Sequence, residues 1–410
     1  MKRLFCISLL AVLLGSTWSV AAQKVTENEN GLMFENEYRL DLSSVKTLYF
    51  EDMGGSMEFS RSESDRLVIE QVIPVGNRSR SEAVDWGLEF ELETSISGAN
   101  ALVKGSEHPR SAMYEIRIPA GVDVDLETDW GDIEASHLRG NMTIRHGGGT
   151  IEVEHLEGTL VIRSDGGAME IEDVTGSVTI NSDGGAVDVV RIGDSVTIAT
   201  GGGSIDVENV TGEVSASTAG GNVDIINVSG NLRAVTSAGN LEVMDIDGDV
   251  VLSNGGGSIE VSGVGGMLTA TTSGGDIEAD DIRGTIRVET LAGDVELANV
   301  RNSLRVISEV GDVEIEVTNA AFLTDGGIEI DLGHGDIELV LPQTTDARLV
   351  ANIQDSGGID ISNQGWAVDV IRTRRPSEGN TSRRSEIQIG RGGGDIQIRL
   401  ISGEITIDNE

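Results

Sequence analysis

Eleven acidic residues stand eighteen apart along the chain: Glu134, Glu152, Glu170, Asp188, Asp206, Asp224, Glu242, Glu260, Glu278, Glu296 and Glu314. Each lies between two apolar residues, as Glu134 does between Ile133 and Ala135, or Glu260 between Ile259 and Val261. Neighbours along a strand point to opposite faces, so the apolar pair turns inward and the acid outward. Turns stacked at strand spacing line these acids up about 4.8 Å apart, where each adjacent pair repels by about 0.9 kcal/mol in water before salt screens it. Such a row suits weakly held Ca²⁺ or Mg²⁺, or a cationic partner. As a plain solvated face it keeps a chain soluble and stops sheets from pairing laterally. Glu329, Glu338 and Asp360 extend the row.

Other constellations are weaker. His137, His155 and Asp173 fall four residues after the buried residue that opens each repeat, so they stack in one column with the donor types of a zinc or other divalent site. The same position elsewhere holds Asn209, Asn227, Asp245, Asp281 and Asn299. These are the residue types that enter left-handed backbone, so the column reads first as a turn. His146 lies on the other half of the turn and does not complete a site. Thirteen residues after the opening position come Ser164, Ser182, Thr200, Thr218, Thr236, Asn254, Thr272, Thr290 and Ser308. Alternation aims them inward beside a turn, as a hydrogen-bonded stack. Asp132, Asp276, Asp294 and Asp312 occupy turns, but the one-apolar-residue-per-half pattern of calcium-binding β-rolls is missing. Sugar hydrolysis needs two unique carboxylates in a cleft. Every acid of the repeat has near-copies above and below, so no catalytic residue is assigned. The inserts at 60–113 leave room for one pair, and a carbohydrate-processing β-helix enzyme is the alternative reading.

The element that must carry these columns is a short strand. The residue after Gly-x is apolar at Ile133, Ile151, Met169, Val187, Ile205, Val223, Leu241, Ile259, Ile277, Val295 and Val313, with no slip. Calling that position zero, positions two, five and nine are also apolar, and position sixteen is glycine from Gly149 to Gly311. Position seven is glycine, with Asp194 and Asn302 as replacements, which reads as a second left-handed turn nine residues from the first. No repeat can bury its apolar face alone. The fold class is therefore all-β: one elongated parallel β-solenoid with 18-residue turns and irregular capping ends. Two- and three-sided cross-sections are both open, and the nine-residue half-period favours two.

The chain has 410 residues and a formal charge of −40, with aromatics at 3% and 54 glycines. That charge excludes nucleic acid as a partner. Residues 1–22 read as a signal peptide: Lys2 and Arg3, an apolar run at 4–14, then small residues before a cleavage at Gln23. The single cysteine, Cys6, falls inside it, so the mature chain has no thiol chemistry. No transmembrane segment follows. The organisation expected is 1–22 signal peptide, 23–125 irregular capping β region, 126–318 regular solenoid and 319–410 irregular turns and cap. Within the last, Arg372, Arg374, Arg375, Arg383 and Arg384 make an Arg-rich loop at 372–384. No cofactor is expected beyond weak Ca²⁺ or Mg²⁺. The partner expected is an envelope or extracellular polymer or protein, met in the periplasm, at the cell envelope or outside the cell.

Tyr114-Glu115-Ile116-Arg117-Ile118-Pro119-Ala120-Gly121-Val122, followed by Gly131-Asp132-Ile133-Glu134 and the tandem Gly-Gly-x-Ile-x-Val turns, resembles the DUF4097 family of adhesin-like bacterial proteins. Gly335-Asp336-Ile337-Glu338-Leu339-Val340-Leu341-Pro342, then Asp346-Ala347-Arg348-Leu349, is similar to that family's C-terminal segment. The resemblance runs from about residue 45 to the end. It implies an exported β-helical protein and brings no catalytic motif; the function expected is non-catalytic binding or scaffolding.

Overall fold

Each turn of the chain hydrogen-bonds to the next through its backbone. In the computed structural model the Ile133 amide donates to the Thr150 carbonyl at 2.9 Å, Ile151 to Ala168 at 3.0 Å and Met169 to Ala186 at 3.0 Å. The structure describes residues 18–28, 31–105, 111–324, 326–355, 357–361, 367–374 and 382–409. The chain divides into two compact units, Met1–Gly203 and Ser204–Glu410.

Each unit is a parallel β-solenoid with two sheets, the two-sided form of the expected fold. Sheet A takes the first half of every repeat and sheet B the second. In the first unit, Ile133–Ser136, Ile151–Leu156 and Met169–Val174 stack in sheet A. Met142–His146, Leu160–Ser164 and Val178–Ser182 stack in sheet B. In the second unit the same order begins with Ile205–Val210 and Val214–Thr218. Positions zero, two, five, nine and eleven are buried rung after rung, as at Ile259, Val261, Val264, Leu268 and Ala270. Burying one Val or Ile contributes roughly 1.5–3 kcal/mol, and every rung repeats the gain.

Strict alternation would turn position five outward. It is buried because position four is left-handed: His137, His155, Asp173, Asn209, Asn227 and Asp245 have φ between 54° and 59°. That residue acts as a bulge and resets the alternation. Position seven, expected to be left-handed as well, has that conformation at Gly140 but not at Gly158, Gly176, Gly230 or Gly284. Glycine stands there for a steric reason. A Cβ on Gly158 would lie 2.2 Å from the Gly140 carbonyl oxygen, and one on Gly284 2.2 Å from that of Gly266.

The first unit opens with antiparallel strands, Trp18–Asn28, Gly31–Asp41 and Arg66–Gly76, and a helix at Arg80–Leu88. Phe34 and Tyr38 on the second of these strands, with Phe50, Phe59 and Tyr114 on nearby parallel strands, are among the largest fully buried side chains. The expected signal peptide lies largely outside the described residues; its residues 18–22 fall in the first strand.

The end of the second unit does not follow chain order. The sheet A neighbour of Ile337–Leu341 is Ile405–Asn409, and beyond it lies Ile359–Ile361. In sheet B, Gly394–Ser402 lies between Gly327–His334 and Ala347–Ile353. The last half-repeats thus complete the turn after Ile337, while residues 343–393 make an excursion. Within it, Val368–Arg374 and Arg383–Ile389 pair antiparallel, so Arg372, Arg374, Arg383 and Arg384 lie on strands rather than in a loop. Residues 375–381 lie outside the described residues.

The inward and outward assignment makes a mutational prediction. Ile259→Asp buries an unpaired charge and should cost roughly 3 kcal/mol or more, read from the urea midpoint. Thr197→Asp, on an exposed position of the first unit, should stay within about 0.5 kcal/mol of the parent.

Candidate functional site

The carboxylate row forms on the outer face of sheet A. In the first unit Glu134, Glu152, Glu170 and Asp188 stand directly opposite one another on successive strands. In the second, Asp206, Asp224, Glu242, Glu260, Glu278, Glu296, Glu314 and Glu338 do the same. Asp360 lies in line two strands past Glu338, with Thr406 between. Glu329 does not continue the row. It belongs to sheet B, opposite Arg305, whose Nη1 donates to it at 2.9 Å. The first unit's row also runs further than the regular repeat suggests, through Glu58, Glu115 and Glu70. Gly55-Ser56-Met57-Glu58 carries the same glycine, apolar, acid spacing, which was the available signal.

Crowding shows in the titration of the row. Burial, then the charges of Glu134, Glu154 and Glu170, raise the Glu152 carboxyl above its ordinary range. Burial, then Glu296, Glu260 and Asp280, do the same to Glu278. Asp224 moves furthest. Burial, a hydrogen bond shared with Asp206, and the charges of Asp206 and Glu242 push it up to about 6.

The turn acids do different work. Asp132 Oδ1 accepts the Thr150 amide at 3.0 Å, and Asp276, Asp294 and Asp312 each accept the amide one turn on at 2.8–2.9 Å. Asn141, Asn222 and Asn240 make the same bond. These oxygens are occupied by backbone, so the turn column is a structural ladder.

The histidine column is also a turn. His137 and His155 stack with ring centroids 4.7 Å apart and planes 5° from parallel. His155 Nε2 lies 3.3 Å from Asp173, whose other oxygen takes the Arg191 guanidinium at 2.6 Å. Among the described residues no three His, Cys, Asp or Glu side chains converge as a closed metal-ligand cluster. Position thirteen is buried as expected: Ser164 Oγ donates to the Gly166 carbonyl at 2.9 Å, and Thr200 Oγ1 to that of Gly202 at 2.8 Å. His146 takes the place of the hydroxyl in its rung. It is 4% exposed, and neither ring nitrogen has a hydrogen-bond partner. Burial holds its pKa below the ordinary value, against weaker upward pulls from nearby carbonyls and from Asp132 and Asp165.

The sequence profile of the family described as Toastrack DUF4097 matches residues 193–408. This chain belongs to the Toastrack DUF4097 family. No curated protein matches it. Among solved structures it is similar to a candidate cell adhesion protein from Clostridium sporogenes, at 8% identity and a TM-score of 0.16, covering 92% of this chain and 99% of that one. A candidate adhesin from Bacteroides fragilis matches at 11% identity and a TM-score of 0.23, over 68% of this chain and 96% of its own. Another, from Parabacteroides merdae, matches at 11% identity and a TM-score of 0.24, over 65% and 96%. No helix among the described residues is long and apolar enough to cross a membrane.

Two groups of this Toastrack chain predict pH effects of opposite sign. Between its ordinary 3.8 and about 6, Asp224 keeps in the native state a proton that the unfolded chain has lost. Its contribution to stability therefore falls as pH rises through that window. Asp224→Asn should remove the slope and raise the urea midpoint at neutral pH. His146 refuses in the native state a proton that the unfolded chain takes up below about pH 6.5. His146→Thr should therefore raise the midpoint at about pH 5 and change it less at pH 8.

Proposed function

We propose that this chain is an exported, non-catalytic binding solenoid of the bacterial envelope or extracellular space, with the carboxylate rows of sheet A as its binding face. The observation that carries the reading is the register: an acid at the same outward position on every regular rung of each unit, with the carboxyls of Glu152, Asp224 and Glu278 held above their ordinary range. Random surface placement avoids that repulsion, and each rung repeats it. A divalent cation or a cationic partner relieves it, and carboxylate oxygens stacked at strand spacing suit hard ions. The leader-like first 22 residues and the absence of any thiol after Cys6 support export.

Thermal melting tests the face directly. Millimolar Ca²⁺ should raise the melting temperature more than sodium chloride of equal ionic strength, because monovalent salt screens but does not bridge. Changing Glu152, Glu170, Glu278 and Glu296 together to Gln should raise the melting temperature in chelator and remove the calcium increment. Identical melting of the parent in calcium, chelator and matched salt would reduce the rows to a solubilising face.

A further inference from the structure

The outer face of sheet B in the first unit differs from the acidic face. It carries an open trough of about 590 Å³ in which the residue type changes from rung to rung. One wall is the position-twelve column, where Glu127, Arg145, Arg163 and Asn181 stand opposite one another on successive strands. Asp165 and Asp183 line the turn side. Arg145 is held by Asp125 from a neighbouring strand. The side chains of Arg163, Asn181, Asp165 and Asp183 are exposed, and none has a hydrogen bond or ion pair within the protein among the described residues. Guanidinium, amide and carboxylate groups are thus left facing solvent, donors and acceptors side by side.

Beside the trough runs a strip with no structural reason of its own. At Gly166, Gly184 and Gly202 an added Cβ would meet nothing within 4 Å, and none of the three is in the left-handed region. Neither backbone nor packing calls for glycine there. At the head of this strip stands Trp130, half exposed, its ring 3.8 Å from where a Gly148 Cβ would be. Beneath the floor lies His146, buried with both nitrogens unpartnered.

We infer that this trough binds a neutral polysaccharide lying along the rungs, stacked on Trp130 at one end. The planar forks of Arg163, Asn181, Asp165 and Asp183 match adjacent hydroxyls, which both donate and accept. An indole offers an apolar face to the C–H side of a sugar ring while staying wet at its rim. Bare glycine backbone lets a flat ring approach closely. Four carboxylates, Glu127, Asp129, Asp165 and Asp183, against two guanidiniums, of which Arg145 is already held by Asp125, disfavour a polyanion, and the Arg163 guanidinium between them disfavours a uniformly basic peptide. A trough that crosses successive rungs from Glu127 to Asn181 suits a chain rather than a single sugar. This inference rests on the reading of the protein as a binding module, but on a different face from the carboxylate rows.

Affinity electrophoresis of the full chain through gels holding dextran, mixed-linkage β-glucan or xylan tests it, with polygalacturonate as the charged comparison. At least one neutral polysaccharide should retard the protein, and Trp130→Ala should weaken that retardation tenfold or more. Arg163→Ala with Asn181→Ala should do the same. Gly184→Tyr should abolish retardation while leaving the melting temperature unchanged, since the added side chain has room but fills the strip; it decides the matter if Trp130→Ala folds poorly. The Glu278→Gln, Glu296→Gln variant should be retarded like the parent. Retardation by polygalacturonate alone, by none of the gels, or undiminished in Gly184→Tyr overturns the trough. Loss confined to the Gln variant overturns it too, while leaving the acidic binding face standing.

Discussion

Turn-on-turn stacking leaves no room for a side chain at position sixteen, and everything else on the surface depends on that constraint. A Cβ on Gly149 would lie 2.3 Å from the Gly131 carbonyl oxygen, on Gly185 1.9 Å from that of Gly167, and on Gly311 2.2 Å from that of Gly293. The same glycines have φ between 99° and 135°, which side-chain-bearing residues rarely adopt. Glycine is therefore required twice over, by backbone and by contact. It fixes where each turn closes, and so fixes the register of both sheets. A slip of one residue would carry every buried Val and Ile to solvent and every outward acid into the core.

With the register fixed, acidic residues serve two physical ends. Those at turn positions, such as Asp132 and Asp294, spend their oxygens on the amide of the next turn and tie rungs together. Those at position one crowd one another instead, as the raised carboxyls of Glu152, Asp224 and Glu278 show. The first kind stabilises the stack and the second opposes it, so the row persists against a cost that the apolar ladders beneath it offset. That contrast, between acids that hold the fold and acids that the fold merely tolerates, separates a structural column from a candidate binding face more sharply than charge alone.

The repeat made much of this legible, because an unbroken step of eighteen converts spacing into neighbourhood. The outward acids, the left-handed column through His137 and Asn209, and the inward hydroxyls at Ser164 and Thr200 could all be placed from spacing. Three things could not. Glycine at position seven has two physical causes with one sequence signature, and a steric contact with the previous turn is invisible until the turns are stacked. The partner of Ile337 is Ile405, 68 residues on, and pairing across an excursion leaves no periodic trace. The trough was hidden because its column runs Glu127, Arg145, Arg163, Asn181, and a search for one repeated residue type passes over a column that changes along its length.

That last point bears on how a solenoid can acquire specificity. A face that repeats one residue offers many equal sites, so it favours avidity and tolerates a ligand shifted by a rung. A face that changes from Glu127 to Arg145 to Asn181 offers one best position along its length and fixes where a chain-like ligand must sit. The two faces of the first unit are built in these two ways on one backbone. Substitution at outward positions is nearly free as long as positions zero, two, five and sixteen are kept, which lets one sheet stay uniform while the other diversifies. Two departures from the repeat lie on this side of the first unit: Trp130 at the head of the glycine strip and His146 beneath the trough, where no stacking requirement asks for an indole or an imidazole. Residues that the fold does not need, grouped beside one trough, are the strongest mark a repetitive protein can carry of a ligand.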